Sequence, residues 1–127
     1  MNYFNKINKS IKNKKDYICV WGSGYIGLST ACHFAKLGKR VLAIDTNKTY
    51  LNNLKKGQLK NDDFKNWLKI PIKSLIKKKK LNFSSSFKDA KKYQPLIHFV
   101  CIPTERNGKP YDKILNNVLA TILKNFE

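Results

Sequence analysis

The sequence predicts an α/β fold: a doubly wound parallel sheet over residues 17–127, behind a basic polar leader at 1–16. Three observations carry that prediction. Short, nearly uninterrupted apolar runs alternate with longer segments of helical periodicity, as parallel strands joined by crossover helices do. A Gly-x-Gly-x-x-Gly run, Gly22-Ser23-Gly24-Tyr25-Ile26-Gly27, separates the first apolar run from the first helical segment. The second apolar run ends on an acid, Asp45.

Each element has its own local reason. The leader is rich in Lys and Asn, with Ile7 and Ile11 as its spaced aliphatics, and reads as a frayed tail in preference to a membrane-docking helix. Tyr17 to Trp21 is a strand buried on both faces, ended by Gly22. Tyr25 to Leu37 carries apolar and small residues at helical spacing, and Gly38 is a natural stop. Arg40 to Ile44 is the second buried strand, and Asn47 is placed to cap a helix that stops near Gly57. Asp62 to Leu68 forms a helical turn interrupted by Pro71, and Ile72 to Ile76 begins another helix running into Lys77–Lys80. A short strand at Leu81–Ser84 and a helix at Phe87–Tyr93 follow. Leu96 to Ile102 is a strong strand closed by Pro103, with a turn at Asn107-Gly108 beyond it. Asp112 to Phe126 closes the series as a helix with Ile114, Leu115, Val118, Leu119, Ile122 and Leu123 on one face. Four strands and their helices in strict alternation imply right-handed parallel crossovers.

Composition bounds the function classes. With 42% hydrophobic and 12% aromatic residues the chain has the material for a core. The net charge of +18 invites a nucleic-acid or membrane-surface reading. The make-up of that charge argues otherwise, since 24 of the 26 basic residues are lysine and only Arg40 and Arg106 are arginine. Arg is the better residue for bidentate phosphate and base-edge contacts. The charge is therefore read as solvated surface, with no specific nucleic acid and no membrane as partner. Cys19, Cys32 and Cys101 lack metal-ligand spacing, so no metal is expected, and they read as free, buried thiols in a reducing, cytoplasmic setting. His33 and His98 have no carboxylate partner recognisable from the sequence and read as structural.

The glycine run carries the chemistry. Gly22 permits the tight turn out of the strand, Gly24 leaves room for a pyrophosphate against the backbone, and Gly27 lets helix and strand pack closely. The helix start offers unpaired N–H groups and the positive end of its dipole to phosphates. Asp45, 18 residues after Gly27, stands where a carboxylate accepts both ribose hydroxyls and repels the extra phosphate of NADP. Together these predict a Rossmann-like site for NAD. Val100-Cys101-Ile102-Pro103-Thr104 ends the fourth strand on the side that should face the nicotinamide, with a hydroxyl at Thr104.

These residues, with Leu54 through Gly57, Leu81-Asn82-Phe83-Ser84-Ser85 and Gly108-Lys109-Pro110-Tyr111-Asp112, resemble the N-terminal domain of the UDP-glucose/GDP-mannose dehydrogenase family. The resemblance runs from about Tyr17 to Leu123. It implies an enzyme that oxidises the C6 hydroxyl of a UDP- or GDP-sugar to a carboxylate in two hydride transfers to NAD. By that resemblance Gly22, Gly24, Tyr25, Ile26 and Gly27 line the pyrophosphate, Asp45 holds the adenosine ribose, and Ser85 lies near the adenine. Thr104 supports the nicotinamide and catalytic-water region. The family often has Pro-Thr-Pro where Glu105 follows Thr104 here. It often places a Lys or Arg that helps hold the ribose shortly after the second strand, where this chain offers Lys48 or Tyr50. The family's nucleophilic Cys, catalytic Lys and Asn, sugar-binding domain and homo-oligomer contacts belong to regions beyond residue 127. The chain is thus expected to be a fragment without activity alone, taking a nucleotide-sugar only with that remaining region. The alternatives are a non-catalytic dinucleotide-binding or regulatory module and, lower, a non-specific nucleic-acid binder.

Overall fold

The computed structural model describes residues 2–13 and 17–126, leaving out the side chains of residues 10, 11 and 13. Helix α1 (Tyr3–Asn13) is followed by strand β1 (Tyr17–Trp21), helix α2 (Tyr25–Lys36), strand β2 (Arg40–Ile44) and helix α3 (Lys48–Lys55). Helices α4 (Asp62–Leu68) and α5 (Ile72–Lys77) lead to strand β3 (Leu81–Ser84), helix α6 (Phe87–Tyr93) and strand β4 (Ile97–Val100). A hairpin of β5 (Glu105–Arg106) and β6 (Lys109–Pro110) precedes helix α7 (Lys113–Asn125).

Four strands form one parallel sheet in the order β3-β2-β1-β4. The chain moves outward from β1 to β3 and then returns to the other side of β1, so β1 and β4 flank the point where the winding reverses. Ligand crevices of doubly wound sheets open at that point, beyond the carboxyl ends of the strands.

Alternation along each strand divides the core in two. Ile18, Val20, Val41 and Ala43 face a layer built from α2, α3, α4 and α5, with Leu28, Leu51, Leu54, Phe64 and Leu75 all buried. Cys19, Trp21, Leu42 and Ile44 face α6 and α7 through Ala90, Val118 and Phe126. The first layer is the better filled.

Several sequence expectations are refined here. The leader, expected as a frayed tail, carries helix α1, because Tyr3, Phe4 and Ile7 recur at helical spacing with no Gly or Pro to break it. Met1, Lys14, Lys15 and Asp16, the rest of the leader, lie outside the described residues. The helix before the lysine run stops at Lys77, and Lys79 turns through a positive φ of 56° to start β3. The strand expected over 96–102 is shorter: regular pairing spans Ile97–Val100, with Leu96 N–H bonded to Tyr17 and Cys101 N–H to Trp21. All four β4 residues are half-buried because β4 is a sheet edge. Helix α7 forms as expected, yet none of its residues is fully buried and Leu123 is 81% exposed. Asn107 and Gly108, both at positive φ, make the two-residue turn of a hairpin that the sequence marked only as a turn.

Candidate functional site

The carboxyl ends of the four strands bring together Gly22, Asp45, Ser85 and Cys101, one from each strand. Gly22 leaves β1 at φ +97°, a conformation that side chains rarely adopt. Its N–H donates to the Ile44 carbonyl at 2.7 Å, which ties the turn to β2. A Cβ at Gly22 would run into the Cys101 carbonyl, and one at Gly27 would run into the Gly22 carbonyl. The turn is thus closed on two sides by backbone, from β4 and from the first turn of α2. Gly24 differs: a Cβ there would meet nothing within 4 Å. Protein packing does not require glycine at 24, and the space in front of it is open.

Gly24 is also the N-cap of α2. It contributes no side-chain cap, the first turn of α2 contains no acid, and the first helical bond runs from Leu28 N–H to the Gly24 carbonyl at 2.9 Å. The N–H groups of Tyr25, Ile26 and Gly27 therefore have no acceptor within the helix and are available to an anion.

Asp45 follows β2 and is partly buried. Its Oδ2 accepts from Ser23 N–H at 3.0 Å and its Oδ1 from Asn47 N–H at 2.9 Å. Each carboxylate oxygen keeps a lone pair, so two further donors such as a ribose diol can be accepted. Asn47 caps α3 by accepting from Tyr50 N–H at 3.0 Å, as its sequence position predicts. Of the two residues the sequence offered after β2, Tyr50 reaches the glycine turn: its hydroxyl donates to the Ser23 carbonyl at 2.6 Å. Lys48 is exposed. Burial, and then the neighbouring Asp45 charge, push the Tyr50 phenol up to about 12, so it stays a donor across the neutral range.

Ser23 sits between these groups with no exposed surface. The side chain of Tyr25 leans outward, held by an edge contact with Phe64 (ring centroids 4.5 Å apart) and by Asn61 Nδ2 donating to its hydroxyl at 3.0 Å. Ser85 is half-buried directly after β3, and the preceding Ser84 carbonyl accepts from Asp45 N–H at 3.2 Å. Ile102 approaches the turn, with Cγ2 3.3 Å from the position of a Cβ on Gly22. Thr104 is exposed at the base of the hairpin, where its carbonyl accepts from Tyr111 N–H at 2.8 Å.

The thiols and imidazoles fall outside this constellation or serve its packing. Cys19 and Cys32 are fully buried, and burial pushes both thiols up to about 12. Cys101, expected to be a buried strand residue, stands one position beyond β4 and is only partly buried. Burial raises its thiol, opposed by a hydrogen bond from Thr30. His33, expected among apolar neighbours, is exposed and pairs through Nδ1 with the Ser29 carbonyl at 2.7 Å. His98 Nδ1 accepts from Trp21 Nε1 at 3.0 Å, and burial lowers its pKa. A shallow groove elsewhere is lined by Asn5, Asn8, Lys9 and Lys12 of α1 and includes none of the strand-end residues.

Two contacts had no sequence signal. Tyr50 to Ser23 and Asn61 to Tyr25 join residues 27 and 36 positions apart, across loops whose path only the packed helices determine.

The geometry fits a dinucleotide: an open glycine cradle, orphan N–H groups for its phosphates and a strand-end carboxylate for its ribose. Comparison with known proteins gives the same answer. The chain is 37% identical over 87 residues to a UDP-N-acetyl-D-mannosamine dehydrogenase of Methanococcus maripaludis, covering 68% of this chain and 19% of that protein. The solved UDP-D-ManNAc dehydrogenase from Pyrococcus horikoshii shares the fold with a TM-score of 0.72 at 24% identity, over 87% of this chain and 26% of that one. GDP-mannose dehydrogenase from Pseudomonas aeruginosa does so with 0.66 at 21%, over 83% and 24%. The chain spans about a fifth of the length of the curated relatives it matches. No helix among the described residues is long and apolar enough to cross a membrane. Residues 16–127 match the UDP-glucose/GDP-mannose dehydrogenase family, NAD binding domain, and the chain belongs to that family with NAD as its cofactor.

Proposed function

We propose that this chain is the cofactor-holding part of a cytoplasmic nucleotide-sugar 6-dehydrogenase. The whole enzyme oxidises the C6 hydroxyl of a UDP- or GDP-sugar to a carboxylate, using two NAD in turn. A UDP-linked N-acetylhexosamine is the favoured substrate class, because the curated relatives carry the name UDP-N-acetyl-D-mannosamine dehydrogenase. The observation that carries the reading is the pairing of an open Gly24 with a strand-end Asp45 across the Ser23 backbone.

NAD supplies the hydride acceptor; the residues of this chain bind and orient it. In this reading the N–H groups of Tyr25, Ile26 and Gly27 receive the pyrophosphate. Asp45 accepts the adenosine ribose hydroxyls with its remaining lone pairs, and Ser85 borders the adenine. The backbone after β4 directs Thr104 toward the nicotinamide. Oxidation to the carboxylate also requires the family's nucleophilic Cys and sugar-binding region. Cys19 and Cys32 cannot stand in for that Cys, being buried with thiols held protonated. The chain alone is therefore inactive in this reading, and the sugar and the oligomer contacts belong to the remaining region.

The test is a calorimetric NAD titration of the folded chain and of Asp45→Ala. Saturable binding by wild type, weakened about tenfold or more in the variant, is the expected result, since the variant loses charge-assisted hydrogen bonds. A folded wild type that gives no heat with NAD overturns the reading. So does robust nucleotide-sugar-dependent NADH production by the 127-residue chain alone.

A further inference from the structure

Ser23, the residue between the first two glycines, is held on both of its backbone polar groups. Its N–H donates to Asp45 Oδ2 at 3.0 Å, and its carbonyl accepts from the Tyr50 hydroxyl at 2.6 Å. A weaker bond at 3.4 Å runs from its own hydroxyl to the Ile44 carbonyl. Tyr50 is itself fixed, because Asn47 caps its N–H and the side chain is half-buried against the hydrophobic core on that side of the sheet. Glycines stand on either side of Ser23, Gly22 already at φ +97°. Without a tether, peptide planes beside glycine turn over at little steric cost.

In a trans peptide the carbonyl and the following N–H point in opposite directions. The Tyr50 hydroxyl therefore fixes the Gly24 N–H as well as the Ser23 carbonyl. That carbonyl faces the core, and the N–H faces away from it, on the residue whose missing Cβ leaves open space. Turned over, the same peptide would present a carbonyl oxygen to any phosphate in the cradle, and two negative dipole ends would meet. We propose that Tyr50 is a positioning residue: its hydroxyl latches the Ser23–Gly24 peptide so that the turn presents an N–H, and not a carbonyl, to the dinucleotide phosphates. The inference rests on the NAD-binding reading above and adds a role for Tyr50 where the family resemblance suggested a ribose-holding cation. A cation at this position would act on the ligand. Tyr50 acts on the loop.

The two roles separate by ligand. Tyr50→Phe keeps the ring and removes the latch. It should weaken ADP-ribose binding about three- to tenfold, the effect of one lost hydrogen bond, while adenosine, which has a ribose and no phosphate, binds as to wild type. In nitrogen-15 spectra, the Gly24 amide should shift on adding ADP-ribose to wild type and shift less in the variant. Equal affinity of both proteins for ADP-ribose overturns the latch, and equal weakening for ADP-ribose and adenosine assigns Tyr50 to the ribose or to general packing. Should Tyr50→Phe fail to fold, wild type bearing 3,5-difluorotyrosine at 50 serves. Its phenol ionises at lower pH than tyrosine, a phenolate cannot donate, and ADP-ribose affinity should fall as it titrates; a flat profile overturns the latch. If wild type binds no ADP-ribose at all, the NAD reading fails, and the latch with it.

Discussion

Gly24 and Gly27 share one motif, yet the structure gives them opposite reasons for being glycine, and alanine at each should separate those reasons. At Gly27 a Cβ would lie far inside 3.0 Å of the Gly22 carbonyl oxygen. That carbonyl cannot retreat freely, because the N–H of the same residue is bonded to Ile44 and its Cα face is packed on the Cys101 carbonyl. Ala gains at most about 1 kcal/mol of helix propensity, the value for a helix interior, at this first-turn site, but overpacking against fixed backbone costs about 1–3 kcal/mol or more. With the clash this deep the net is a loss of about 2 kcal/mol. For a domain of this size that corresponds to a Tm lower by about 6–10 °C. At Gly24 a Cβ meets no protein atom within 4 Å, and φ −71° with an extended ψ is open to any L-residue. Stability should move by less than about 0.5 kcal/mol, since Ala is clearly worse than Gly at an N-cap but reduces the entropy of the unfolded chain by a comparable amount. The added methyl instead occupies the space in front of the first turn, so NAD affinity should fall by about tenfold or more. Thermal unfolding followed by circular dichroism, with NAD titration of each folded variant, reads both effects. A Gly24→Ala protein that melts as wild type and also binds NAD as wild type refutes the assignment of that open space to the cofactor. A Gly27→Ala protein of unchanged Tm refutes the packing argument.

Three further outcomes follow from the same structure. Burial lowers the His98 pKa, so the folded state resists a proton that the unfolded chain takes up near pH 6.5. The stability this contributes is present above about pH 6.5 and is lost as pH falls toward the lower folded value; urea midpoints should drop over that window, and less so in His98→Phe. Protonation of Nδ1 also breaks the Trp21 bond, so emission from Trp21, 5% exposed beside the 58% exposed Trp67, should change over the same range. An aromatic-disulfide thiol reagent at neutral pH should label Cys101 first, because Cys19 and Cys32 are fully buried with thiols held near 12; labelling of all three at one rate would show that the two core thiols open freely. Asp45→Ala, beyond its effect on NAD, frees the Ser23 and Asn47 N–H groups together and should lower Tm by a few degrees.

The fold was legible because its signals are local. β1 and β2 are short apolar runs whose bounds, Tyr17–Trp21 and Arg40–Ile44, agree with the sequence reading to the residue. Asn47 capped the helix it was expected to cap, and Asn107-Gly108 turned where it was expected to turn. The failures are equally instructive. Cys101 and Ile102 read as strand because they are apolar, but pairing with β1 ends at the Cys101 N–H, where the chain must bend over the glycine turn. Helix α7 has the periodicity of a buried helix, yet it packs by one side against Trp21 and Val100 and leaves Leu119 and Leu123 exposed. Periodicity says which face is apolar; it does not say how much of that face finds a partner.

By itself the sequence determined the four strands of the parallel sheet and the helices between them, the glycine turn and the acid at the tip of β2, though not α1 or the β5–β6 hairpin. Each depends on residues within one or two turns of one another, whose conformational preferences act before any tertiary contact exists. Only the tertiary structure decided what those residues do to each other. It separated three glycines of one motif into two that backbone neighbours require and one that they do not. It joined the Tyr50 hydroxyl to a carbonyl 27 positions away and left Lys48 exposed. The physical reason is range. Propensity and patterning act through bonded neighbours, whereas the direction of a single peptide plane is set by which side chain the packed layers bring within 3 Å of it.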